Sequence, residues 1–192
     1  TLGAVYARSV GLGYDAVLIF MTVLLLGGVL LQFPLGKLSD RVDRRLVLAG
    51  VSTALLAVET TVFLWEPRSV ATLIPTIAVA SGLGFVLYPL ALAHTNDLLE
   101  PAEILPAAGL ALLLYAVGAT VGPILASVAM SLVGARGFHA FMALAAAVLL
   151  VHTLTRIVRR RAAPEGDREP YVPISLPTAV PGSANLQAPP EE

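Results

Sequence analysis

Five stretches of this chain are long, apolar and almost free of charge, and they constrain the fold more than any other feature. Ala16 to Leu35, Val70 to Ala93 and Ile104 to Val133 carry no formal charge, and Phe138 to Ile157 carries only Arg156, at its end. Leu46 to Trp65 is equally apolar but contains Glu59, and Trp65 stands where an interfacial aromatic anchor belongs. About 20 mainly apolar residues cross a bilayer core as a helix. Because lipid offers no hydrogen bonds to a bare backbone, such runs must be helical. The expected fold is therefore all-α, a polytopic membrane helix bundle. Composition agrees: hydrophobic residues make up 57% and charged residues 13% of the 192, with a mean hydropathy of +0.83.

Composition also narrows the chemistry. A net charge of -1 gives no basic face for nucleic acid. The absence of cysteine removes disulfides, thiolate metal sites and cysteine nucleophiles. No Ser and His or Glu and His spacing suggests an enzyme, and neither a cofactor nor a metal is expected.

The opening TLGAVYARSVGLG lacks the layout of a signal peptide. Thr1 to Gly11 is too short to span and is apolar apart from Arg8, so it reads as the distal end of a helix whose beginning is missing. Basic residues set the orientation. Lys37, Arg41, Arg44 and Arg45 fill one loop, and Arg156, Arg159, Arg160 and Arg161 follow the last span on the same side of the membrane. That side is expected to be cytoplasmic, whereas the opposite loops offer only Arg68 and Arg136. Residues 1–161 form the expected bundle, and the Pro-rich residues 162–192 read as a disordered cytoplasmic tail.

The loop Gly36-Lys37-Leu38-Ser39-Asp40-Arg41-Val42-Asp43-Arg44-Arg45 resembles the signature loop of the major facilitator superfamily, G-x-L-[AGS]-D-[RK]-x-G-R-[RK]. It departs at Asp43, where the pattern has glycine, which puts the tight-turn role of that position in question. The resemblance implies a conformational latch made of Gly36, Asp40, Arg41, Arg44 and Arg45, with Gly36 permitting a helix end and Asp40 near the positive end of a neighbouring helix. Gly109, Gly118, Gly122 and Pro123 resemble the family's G-x8-G-x3-G-P antiporter spacing, although Ala126 and Ser127 replace its terminal glycines. Close packing of helices explains these small residues better than exchange chemistry. Ala78 stands four residues before Gly82-Leu83-Gly84, where the family's N-terminal half carries arginine. The chain is thus expected to be the C-terminal half, comprising the end of helix seven and helices eight to twelve. Tyr88-Pro89, His94-Thr95-Asn96-Asp97 and Leu99-Glu100-Pro101 are similar to the YcaD-like group of bacterial facilitators.

What the resemblance implies is a fragment of a secondary active transporter in a bacterial inner membrane, moving a small solute by ion-coupled alternating access. Its partners would be the lipid bilayer, the small-molecule substrate and the N-terminal half of the same polypeptide. Asp40 would face the fifth helix of that half, and the helix start near Glu103 and Pro106 would meet its signature loop. The alternatives are a membrane scaffold or sensor on the same fold, or a lipid-directed enzyme.

Ionisable groups at membrane depth are functional candidates by default. Glu59 could carry a proton, pack with Thr60 or Thr61, or pair with a residue of the missing half. Arg8 could clamp an anionic substrate or snorkel to the outer surface, and the nearby Gly11 and Gly13 favour the surface. His94, with Asn96 and Asp97, could form a proton relay or a gate, or simply a solvated helix end. Gln32, Tyr88 and Tyr115 lie on helices that line the facilitator cavity and could bond a substrate or pack. His139 and His152 are too far apart in phase and depth to share a metal, and both read as structural.

Overall fold

A computed structural model describes residues 2–65 and 69–159. The C-terminal tail, Arg68, Arg160 and Arg161 lie outside the described residues. In chain order the elements are α1 (Leu2–Ser9), α2 (Tyr14–Arg41), α3 (Arg44–Trp65), α4 (Val70–Asn96), α5 (Pro101–Val133) and α6 (Gly137–Arg159). All are helices, and α2 to α6 are long and apolar enough to cross a membrane. At 28 residues α2 is about 42 Å long, more than the hydrocarbon needs.

The helix ends follow from local chemistry. Ser69 caps α4 by accepting a hydrogen bond from the Thr72 amide at 3.3 Å. Glu100 and Glu103 form a reciprocal capping box at the start of α5, with Pro101 in the first turn. Gly11 (φ 85°) and Gly134 (φ 77°) take the left-handed conformation that ends α1 and α5. Inside the spans, Thr53, Thr61, Thr76, Thr120 and Thr153 each donate to the carbonyl four residues earlier, so their hydroxyls are satisfied within their own helices.

Packing divides into two apolar clusters. One joins Val47, Leu48, Val51 and Leu55 of α3 to Ala80, Leu83, Val86 and Leu90 of α4, with Ala146 of α6. The other gathers Tyr6, Ala7 and Leu12 around Phe20, Leu73 and Ile77. The helices α2 and α4 cross where both are glycine. A methyl on Gly27 would lie against the Ala78 carbonyl and the Ser81 hydroxyl, and one on Gly82 would meet the Gly27 carbonyl and the Leu31 side chain. Backbones thus touch where side chains are missing, the usual device for helix association in lipid.

One expectation is corrected. Gly36 does not end a helix: α2 runs on to Arg41, Gly36 is buried within it, and only Val42 and Asp43 separate α2 from α3. The glycines of α5 meet no helix of this chain. A methyl on Gly109, Gly118 or Gly122 would meet nothing within 4 Å, and Ala126 is the one buried residue of α5. Close approach is carried instead by Gly27, Gly82 and Gly137, the last against the backbone of Ala129.

Candidate functional site

Three groups of polar side chains punctuate the bundle, and the largest surrounds the start of α3. Arg44 is the first residue of that helix and only 2% exposed. Its Nε lies 3.0 Å from Asp97 Oδ2, and its Nη2 donates to Asp40 Oδ1 at 3.3 Å. The end of α2, the start of α3 and the C-cap of α4 therefore meet on one guanidinium. Asp97 is 3% accessible and Asp40 34%, so the first pair is sealed and the second faces outward. A buried arginine shared by two carboxylates on different helices is a strong constraint, because removing it strands the sealed Asp97.

Around this centre the remaining cations are arranged differently. Asp43 accepts from the Arg45 amide at 3.0 Å and from its guanidinium at 2.8 Å, so it caps α3. Aspartate thus performs a capping function where the family pattern has glycine. Lys37 lies over the Phe33 ring at 4.3 Å, and Arg41 is exposed. Asp97, singled out in the sequence together with His94 as a relay, is instead the partner of Arg44. His94 occupies the last turn of α4 and is half-buried.

Between the two ends lie Gln32, Tyr88 and Tyr115. Gln32 is buried on α2. The Tyr88 and Tyr115 rings stand 5.0 Å apart at 54°, linking α4 to α5, which otherwise touch little. An apolar hollow of about 300 Å³ opens between α2 and α3, lined by Leu38, Val42, Leu46, Val51 and Leu83. It lacks the convergent polar groups of a solute site.

The third group is at the opposite end. Glu59 and His139 are 3% and 1% exposed, and Glu59 Oε2 lies 2.6 Å from His139 Nδ1. Of the readings open for Glu59, the geometry shows pairing within this chain, to His139, in place of packing with Thr60 or Thr61 or pairing with a residue outside it. The Tyr6 ring meets the imidazole edge-on at 4.6 Å and stacks on Phe138 at 5.4 Å. Arg8 is exposed, and its guanidinium donates to the Leu12 carbonyl at 3.3 Å, closing the end of α1. Among the described residues, no three His, Asp or Glu side chains group as metal ligands would.

Sequence reasoning missed the two long-range pairs. Depth was the available signal: Glu59 lies about 9 Å before the Trp65 end of α3, and His139 is in the first turn of α6, which starts from the same face.

Five apolar helices, a buried arginine beneath a charged two-residue break, and polar groups placed at three depths define a polytopic membrane helix bundle. The chain belongs to the Major Facilitator Superfamily, whose profile matches residues 1–184. Among curated proteins it is similar to the uncharacterized MFS-type transporter YcaD of Salmonella arizonae, with 30% identity over 118 residues, 62% of this chain and 30% of that one. The YcaD proteins of Salmonella paratyphi B and Salmonella newport match at 30% identity over 125 residues, 65% of this chain and 31% of theirs. The matched region thus spans about a third of the length of these relatives. No solved structure matches.

Proposed function

We propose that this chain is the C-terminal half of a secondary active transporter that moves a small solute by ion-coupled alternating access. The observation that carries the reading is Arg44, buried beneath the signature segment and paired with both Asp40 and Asp97. A transporter of this kind needs helix ends that hold together in one state and release in the other. A charge pair that is strong when dry and weak when wet provides such a bistable contact. Asp40, Arg41, Arg44 and Arg45 form the latch, with Asp97 as its internal anchor. Gln32, Tyr88 and Tyr115 present hydrogen-bonding and aromatic groups near mid-depth, where the solute would sit. The basic end faces the cytoplasm of a bacterial inner membrane, and the unpacked small-residue face of α5 meets the other half of the polypeptide.

The test is reconstitution. The chain co-expressed with the remainder of its polypeptide should support uptake of a member of a labelled solute panel, and neither part should do so alone. Uptake by this chain alone would overturn the half-transporter reading. Asp40→Asn should slow flux without lowering the amount of protein in the membrane, and unchanged flux would remove Asp40 from the latch. A reporter fused to the C-terminus that is active only outside the cytoplasm would reverse the orientation.

A further inference from the structure

We infer that Glu59 and His139 form a proton-binding site outside the solute pathway, whose occupancy fixes the docking of α1 at the end of the bundle opposite the charged latch. The site is built from α3 and α6, whose contributions lie 80 positions apart, and it is closed over by Tyr6 of α1. It holds whatever solute is moved, because none of its residues belongs to the mid-depth group.

The hydrogen bond between Oε2 and Nδ1, at 2.6 Å, requires one proton, carried by either atom. A second proton can be held at the carboxyl Oε1 or at Nε2. That nitrogen is buried and has no hydrogen-bond partner among the described residues. With one proton in the pair, a carboxylate faces a neutral imidazole, the net charge is -1, and Nε2 is an acceptor. With two, the pair is neutral overall, whichever atom holds the second proton. Uptake of a single proton thus removes a net charge from an apolar site and changes nothing covalent. A lone net charge at membrane depth is costly, whereas a neutral pair is tolerated.

The surroundings convert that difference into packing. Glu59 and His139 are almost completely inaccessible, and Tyr6 and Ala7 above them are 3% and 0% exposed. Tyr6 is wedged among His139, Phe138 and Phe20, with ring centres 4.6, 5.4 and 6.2 Å away. The short helix α1 is held largely by these rings. A net negative charge beneath Tyr6 can be relieved by admitting water, and water enters by lifting α1. The other ionisable groups described at this end have contacts of their own or lie exposed. Arg8 is bonded to the Leu12 carbonyl, Asp15 is exposed at the start of α2, and the Arg136 guanidinium lies 5.6 Å from the centre of the Phe63 ring. The N-terminal half of α4 contributes buried Leu73 and Ile77 here and no charge.

These 192 residues contain no cysteine, so once any cysteine in the remainder of the polypeptide is replaced by serine an introduced thiol is the only one labelled. In the full-length protein in native membranes, Ala7→Cys reports lifting of α1, and Val5→Cys, 56% exposed on the same helix, corrects for the pH dependence of thiol chemistry. The ratio of maleimide labelling rates, Ala7→Cys over Val5→Cys, should rise at least about threefold from acidic to alkaline pH as α1 opens locally. Glu59→Gln keeps a hydrogen-bonding side chain without the titratable acid and should flatten the ratio. A ratio independent of pH, or a pH dependence that survives Glu59→Gln, overturns the site. Should Glu59→Gln fail to accumulate, His139→Gln provides the same readout, and a pH dependence that persists there has the same overturning force. Loss of transport with the labelling ratio unchanged counts against the proposed function and not for this site.

Discussion

Arg44 and Asp97 lie 3.0 Å apart on different helices, both nearly sealed from solvent, and this pair holds the start of α3 to the end of α4. Arg44→Gln strands the sealed Asp97, and Asp97→Asn leaves Arg44 only the more exposed Asp40 as its carboxylate partner in this pair of bridges. Arg44→Gln or Asp97→Asn should each cost about 3–5 kcal/mol, whereas the double apolar replacement Arg44→Met with Asp97→Leu should recover most of the loss. Thermal unfolding in detergent, followed by fluorescence-detected size exclusion, measures both. Single variants that melt like the parent would show that the pair contributes no cohesion.

Asp43 tests whether capping or chain reversal matters in the two-residue break. Its carboxylate accepts from the Arg45 amide, so Asp43→Ala should destabilise by about 1 kcal/mol. Asp43→Gly, which restores the residue of the signature pattern, should cost only a few tenths of that amount, because glycine is itself an acceptable N-cap. The two melting temperatures should therefore differ, with glycine the higher. The reverse order would mean that the carboxylate is not a cap.

Glycines separate into two kinds by what surrounds them. Gly82→Ala forces the α2 and α4 backbones apart and should cost about 1–3 kcal/mol by overpacking. Gly118→Ala meets open space and should leave stability unchanged, yet it should reduce flux in the full-length protein if α5 docks its small-residue face on the other half. Melting and uptake measured on the same samples distinguish the two effects. Equal melting of both variants would contradict the close crossing.

Tyr88 and Tyr115 provide a direct contact between α4 and α5. A double-mutant cycle with Tyr88→Leu and Tyr115→Leu should give a coupling of about 0.5–1.5 kcal/mol in stability. Additive effects would show that the rings merely coexist.

The spans were legible because lipid-facing and core-facing positions are both apolar, so each crossing is written as a continuous run that needs no phase information. The family likeness was legible for the opposite reason, since Gly36 to Arg45 is a dense local pattern. Partnerships were not legible. Nothing in the residues flanking Glu59 or His139 points to the other, and Asp97 sits in a polar helix end that reads as solvated until α3 brings Arg44 to it. Nor does a sequence say which glycines touch. Gly27 and Gly82 lie in apolar stretches, and the Gly82-Leu83-Gly84 spacing says nothing of Gly27, while the spaced set on α5 meets no helix of this chain, because a repeated small residue records a face and not its partner.

The separation of Glu59 from His139 by 80 positions also orders the assembly of the bundle in time. As the chain is synthesised, α3 enters the membrane with its acid unaccompanied, and α4 and α5 pass before α6 delivers the imidazole. Until then the growing bundle carries a visible flaw, a lone carboxyl in an apolar setting, and it loses that flaw only when the sixth helix is in place. A chain interrupted before Gly137 would keep it.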